Sequence, residues 1–268
     1  VDLGVQARRW ITALLLLGTL IPIVTLGGQW VFLILIILLV VLCQLEYARL
    51  SRIRQGGVER TIGILVAISM PFCAMMAGER GLVMALSASL IVWLTLETAF
   101  RKELEGVLHK IGARMLGYLY AALLPSYFIL VWKLPNGIHW LFWTITVTAV
   151  GDTAAYYVGS LLGRHKLLPR ISPNKTVEGA VAGLLGNAAG GLAYAAMFFP
   201  SKMAMDGVLL SLMVGAAGQL GDLGESMLKR AVGVKDSGGI LPGHGGVLDR
   251  FDSLLFSLPV VFYWAIWS

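Results

Sequence analysis

At 268 residues, 57% hydrophobic and only 13% charged, with a mean hydropathy of +0.80, the chain is not an ordinary soluble domain, in which about a quarter of residues carry charge. Repeated apolar runs approach the roughly 20 residues that span a bilayer, so the net charge of +6 reads as a basic membrane face against anionic lipid and not as a nucleic-acid surface. Cys43 and Cys73 both sit inside apolar runs and read as small packing residues, not as a disulfide or metal framework.

Arg8 and Arg9 precede an apolar run from Trp10 to about Leu26. No small-x-small cleavage signal follows and a second run begins at once, so this is expected to be a retained first helix. Further spans are expected at about Trp30–Leu45, Thr61–Ala77, Gly81–Leu96, Ile111–Trp132, Ile138–Leu162, Val177–Phe199 and Gly207–Met227. The last runs from about Leu254 to Trp267, with its start nearer Asp249. The expected fold is therefore all-α, a polytopic transmembrane bundle of about nine spans. It forms one integral membrane domain, with residues 1–135 as an N-terminal helical part and 136–268 carrying the site. Gly183, Gly186, Gly190 and Gly191 predict close helix approach in the seventh span.

With the N-terminus inside, 18 of the 21 Lys and Arg residues fall in inside segments, and only Arg80, Lys133 and Lys202 fall outside. That asymmetry follows the positive-inside rule and predicts a cytoplasmic N-terminus. It also places the stretch from Asp222 to Asp252 at the cytoplasmic face.

This stretch is the most polar in the chain. It holds five carboxylates (Asp222, Glu225, Asp236, Asp249, Asp252), four cations (Lys229, Arg230, Lys235, Arg250) and the only Gly-His-Gly-Gly. Charge beside a bilayer is costly and marks function by default. The eighth span is expected to stay helical to about Arg230. Asp222, Glu225, Ser226 and Lys229 then form one stripe on one face; the plain alternative is a helix end that meets water. A glycine-rich loop follows, and Asp249-Arg250-Phe251-Asp252 opens the last helix. Such a helix start offers backbone N–H groups to phosphate, although Asp249 also suits a simple cap. Carboxylates gathered at one depth call for a divalent cation, and hard oxygen ligands favour magnesium. No His/Cys cluster argues for zinc.

Two more elements are expected to join. Asp152 lies within the sixth span, where it serves either the site or an interhelical hydrogen bond. The loop after that span carries Arg164, His165, Lys166 and Lys175, with a helix start expected at Ser172-Pro173. It reads as an anion-attracting loop, or simply as a basic loop on the inner side.

From Ser226 to Asp252 the chain resembles the defining motif of the CDP-diacylglycerol synthases (phosphatidate cytidylyltransferases). Ser226, Lys229, Arg230, Lys235, Asp236, Pro242, His244, Gly245, Gly246, Asp249, Arg250 and Asp252 meet its fixed positions. The runs SPNKTVEG and GDTAAYYVGSLLGRHKL are similar to the family as well, and the close likeness covers about residues 150–255. The resemblance implies that CTP and phosphatidate give CDP-diacylglycerol and pyrophosphate at a bacterial inner membrane. It implies a magnesium requirement, room for a second cation such as K+, and Asp222 and Asp249 as leading metal ligands, with Glu225 beside them. Asp222, Lys229, Arg230, Lys235, Asp249 and Arg250 are the expected catalytic set. Asp152, Ser172, Lys175, Thr176, Ser226, Asp236, His244, Gly245, Gly246 and Asp252 are the expected substrate-binding set. Expected partners are CTP, phosphatidate and the bilayer, without nucleic acid; a homodimer is compatible with the sequence.

The attacking phosphate monoester has a second pKa of about 6 and is largely ionised at neutral pH. No strong general base is required, so His244 is expected to contact phosphate or order its loop. A cation-coupled transporter built on Asp152 and Asp222 is the rival reading. The charge clusters lie at one face and no internal repeat is visible, which disfavours it. A further rival is another CTP-using membrane enzyme, such as a polyprenol kinase. There is no Walker A loop or dinucleotide fingerprint.

Overall fold

The computed structural model describes residues 22, 24–53, 56–100, 104–199, 204–239 and 245–267. Most of the expected first span lies outside them, as do Pro242 and His244. In lipid every backbone N–H and C=O must be satisfied internally, so long apolar runs fold as helices. The described helices are α1 (Gly28–Leu50), α2 (Gly57–Phe100), α3 (Val107–Tyr118), α4 (Leu124–Trp132), α5 (Gly137–Leu162), α6 (Val177–Phe198), α7 (Ala204–Ala231) and α8 (Leu248–Trp267). One π-helical turn, Leu119–Leu123, joins α3 to α4. Among the described residues, five helical stretches are long and apolar enough to cross a membrane: Gly28–Leu50, Gly57–Phe100, Val107–Trp132, Val177–Phe198 and Asp206–Ala231. Helices α5 and α8 run 26 and 20 residues but fall short of that apolarity. This is an integral membrane protein.

Helix α2 covers two expected spans. Its axis breaks at Gly78, whose φ of 61° and ψ of −142° suit a residue without a Cβ. A methyl group at Gly81 would run into the Cys73 carbonyl, so the two arms leave the break in close contact. Lys133 Nζ donates to the Met75 carbonyl at 2.7 Å, and Tyr263 Oη donates to Glu79 at 2.6 Å. The ends of α4 and α8 thus meet the break. At another place, Arg114 donates to Glu97 (2.6 Å) and Glu59 (2.7 Å) and lies 3.8 Å over the Trp93 ring. Phe32, Val40, Cys43, Met70, Trp143, Leu255 and Val261 belong to the buried core. Ile34, Leu38, Leu65, Val83 and Ile91 point outward, as lipid-facing side chains do.

Helices α5, α6 and α7 pack around the glycines of α6. A methyl at Gly186 would come within 2.7 Å of the Ala154 Cβ, and one at Gly191 would strike Ser211. Between them Asn187, buried, donates to the Val147 carbonyl at 2.8 Å. The close approach read from these glycines is present.

The fold is mostly helical rather than all-α. Lys166–Leu168 (β1) and Ser172–Thr176 (β2) form an antiparallel hairpin, with Lys166 opposite Thr176 and Leu168 opposite Ser172. Ser172-Pro173 therefore does not start a helix. Proline suits a first helical turn, but an edge strand tolerates its missing N–H equally well. The helix begins at Val177, where Thr176 Oγ1 accepts from Gly179 N at 3.1 Å. Glu178 accepts from the backbone N–H groups of Arg164 and His165 and holds the loop against the helix. Thr176→Ala is expected to cost about 1 kcal/mol as a lost cap. Thermal unfolding in detergent checks this, and Thr176→Ser should recover most of the loss.

Candidate active site

A cavity of about 980 Å³ opens between α5, the hairpin, α6, α7 and the start of α8. Nine of the expected site residues line it: Asp152, Lys175, Thr176, Asp222, Glu225, Lys229, Asp249, Arg250 and Asp252. They come from four separate segments. Asp152 projects from α5, Lys175 and Thr176 from β2, the next three from α7, and the last three from the first turn of α8.

The stripe on α7 divides by burial. Asp222, about a third exposed, pairs with Lys175 across the cavity at 2.5 Å. Ser226 also donates to it, at 3.4 Å. One turn on, Glu225 is buried and pairs with Lys229. Lys229 also donates to Asp249 Oδ1 at 2.6 Å, so one ammonium joins carboxylates of α7 and α8. A buried carboxylate of this kind persists only with such a partner.

Asp249 is held by its other oxygen. Oδ2 accepts from Gly246 N at 2.7 Å, Ser237 N at 2.9 Å and Ser237 Oγ at 2.9 Å. The inner oxygen is saturated by the loop, and Oδ1 is the one turned to Lys229. Gly246 thus acts through its backbone, while Gly245, with φ of 80°, makes the turn before it.

The helix start of α8 differs from expectation. Two N–H groups at this end are not open to phosphate, because Val247 N and Leu248 N each donate at 2.9 Å to Glu46 of α1. Ser237 Oγ lies 3.0 Å from the same carboxylate. The protein supplies its own anion to this helix end. Glu46 escapes sequence reasoning because its partners lie about two hundred positions away; the one signal is a lone carboxylate between Leu45 and Tyr47 in an apolar run.

Other expected residues stand apart from the cavity lining. Arg230 donates to the carbonyls of Ile171 (3.4 Å) and Val234 (3.1 Å), tying the hairpin to the end of α7. Lys235 and Asp236 are exposed in the following turn. Ser172 sits in the hairpin pairing. His244 lies outside the described residues. Gln219, unremarked in the sequence, joins the lining and donates to the Ala180 carbonyl at 2.9 Å.

The donor chemistry fits a hard cation. Asp222 and Asp249 are carboxylates on one cavity wall, each balanced by an ammonium, and Glu225 Oε1 is buried without a protein partner. Among the described residues no three Asp, Glu, His or Cys side chains cluster closely enough to hold a metal alone. That matches magnesium, which commonly takes one or two protein carboxylates and completes its shell with water and substrate phosphate.

Apolar helices that enclose paired carboxylates and ammonium groups define an integral membrane protein with a charged cavity among its helices. The chain belongs to the cytidylyltransferase family, whose profile matches residues 7–267. It is 49% identical over 127 residues to a phosphatidate cytidylyltransferase of Staphylococcus saprophyticus, covering 47% of this chain and 48% of the relative. It is 48% identical over 128 residues to that of Staphylococcus aureus, with the same coverage. To the Bacillus subtilis enzyme it is 42% identical over 159 residues, 58% of each chain. The matched stretch spans about half the length of these curated relatives.

Proposed function

We propose that the chain is a phosphatidate cytidylyltransferase that converts CTP and phosphatidate to CDP-diacylglycerol and pyrophosphate. The observation that carries this reading is the convergence of the Lys175–Asp222 and Lys229–Asp249 pairs on one cavity. Three phosphates and a lipid phosphate need positive charge, and a metal needs carboxylates; this wall holds both. The names of the relatives point to the same substrates.

In the reaction a phosphatidate oxygen bonds to the α-phosphorus of CTP. The bond from that phosphorus to the oxygen bridging to the β-phosphate breaks, and pyrophosphate leaves with the electron pair. Asp222 and Asp249 would hold magnesium, with Glu225 beside them; when bound it supplies charge neutralisation of the triphosphate. Lys175, Lys229 and Arg250 reach the cavity and are assigned to phosphate contacts; such groups act by positioning and by matching charge as it develops. Arg230 is assigned to holding the hairpin that carries Lys175, and Ser226 to orienting Asp222. Lys235 and Asp236 are assigned to the rim of the site, and His244 to contacting phosphate or ordering its loop. The ionised phosphatidate needs no base. The whole chain forms one membrane domain of nine spans, with its N-terminus and this cavity on the cytoplasmic side. The basic bias of the inner segments supports that orientation.

Purified protein given labelled CTP, phosphatidate and magnesium is expected to form a CDP-lipid and pyrophosphate, and to stop with EDTA. No product from folded protein across several phosphatidates and divalent metals would overturn the reading. Lys175→Ala is expected to raise the CTP KM about tenfold, in keeping with a lost charge-assisted contact of roughly 1.5 kcal/mol. An unchanged KM and kcat would remove Lys175 from nucleotide binding.

A further inference from the structure

Glu46 is the most completely buried carboxylate among the described residues, with no solvent exposure, and it sits near the C-terminal end of a largely apolar helix. A charge in that position is retained only where strong donors meet it. It receives two backbone N–H groups of the loop that opens α8, and the Ser237 hydroxyl stands between it and Asp249. The positive end of α8 faces it as well.

The loop is fitted to this side chain. A methyl group at Gly238 would lie 2.5 Å from Glu46 Oε1, 2.8 Å from its carboxyl carbon and 3.0 Å from Cγ. One at Gly246 would meet Glu46 Oε2 at 2.6 Å and strike the Ser237 hydroxyl. Glu46 cannot swing aside without giving up its bonds to Val247 and Leu248. The glycines at 238 and 246 are therefore required by a residue about two hundred positions earlier in the chain.

The same loop holds Asp249. Ser237 and Gly246 saturate Oδ2, and Leu248 immediately precedes Asp249. We infer that Glu46 is a positioning residue: it fixes residues 237–238 and 246–248 so that Asp249 Oδ1 faces the cavity. It lies off the cavity wall. This assignment rests on the cytidylyltransferase reading, with Asp249 as a metal ligand.

Partners of this kind, one step behind a ligand, typically change metal affinity by about ten- to a hundredfold when removed. The test compares wild type with Glu46→Gln, Glu46→Ala, Gly238→Ala and the double variant Glu46→Ala/Gly238→Ala in detergent. Two readouts are taken: the magnesium concentration giving half-maximal rate, and amide hydrogen exchange of the 245–249 segment without substrate. A smaller folded fraction would move neither the magnesium midpoint nor exchange confined to one segment. Glu46→Ala is expected to raise the midpoint at least about tenfold and to speed exchange at Val247 and Leu248. Glu46→Gln, which keeps one acceptor, should fall between it and wild type. Gly238→Ala alone should raise the midpoint, and should add little once Glu46 is gone. A wild-type midpoint with wild-type exchange in both Glu46 variants would overturn the assignment. So would full additivity of the two alanine substitutions. Failure of wild type itself to make CDP-lipid would overturn the underlying function instead, and the exchange data would still report whether Glu46 holds the loop.

Discussion

Asp249→Asn is expected to lower turnover by at least about a hundredfold, the scale on which a single electrostatic stabiliser acts, while the protein stays folded. The geometry explains both halves. An asparagine oxygen in the place of Oδ2 still accepts from Gly246 N, Ser237 N and Ser237 Oγ, so the loop keeps its anchor. The amide nitrogen then replaces Oδ1, facing Lys229 where an anion belongs. The lost function is the negative charge at one atom. Turnover per folded molecule, with thermal unfolding as the control, checks this. Retained turnover would remove Asp249 from metal binding.

Lys229→Met is expected to be the most damaging single change to stability. Lys229 and Glu225 have side chains about one-tenth exposed or less, and the ammonium is shared with Asp249. Removing one member of a buried ion pair typically costs about 3–5 kcal/mol, because the other charge is left alone. Here the uncompensated group is Glu225, whose other oxygen already lacks a protein partner. Adding Glu225→Gln should restore much of the stability but no activity. The contrast with Lys175→Ala is informative, since Lys175 and Asp222 are each roughly a third exposed and screened by water. Unfolding of Lys229→Met at the wild-type temperature would show that the pair contributes nothing net.

How far the sequence foretold this arrangement depends on the range over which each feature is encoded. The helices were legible because apolar length is a local property; Val177 was placed as the start of a span, and α6 begins there. The four segments around the cavity were legible through dense polar motifs such as Asp249-Arg250-Phe251-Asp252. Local signals were ambiguous at Ser172-Pro173, where a strand and a helix start accept the same residues. They were silent at Gly78, where two spans join through one glycine instead of a loop. Glu46 was illegible for a deeper reason. Its role exists only through hydrogen bonds to residues in another part of the chain. For the same reason the Val247 and Leu248 amides at the start of α8, free on paper, turn out to be occupied.

The cavity also separates two uses of charge. Its lining holds five carboxylates (Asp152, Asp222, Glu225, Asp249, Asp252) and four cations (Lys166, Lys175, Lys229, Arg250), which leaves it one formal negative charge within a protein of net +6. The excess of positive charge therefore lies outside the cavity lining. A nearly balanced pocket casts little field into solution and does not draw a bare polyanion from a distance. On the proposed function, its nucleotide arrives with its charge already reduced by its own counter-ion. Long-range attraction belongs to the basic residues outside the lining, whose counterpart, on the proposed function, is an acidic lipid leaflet.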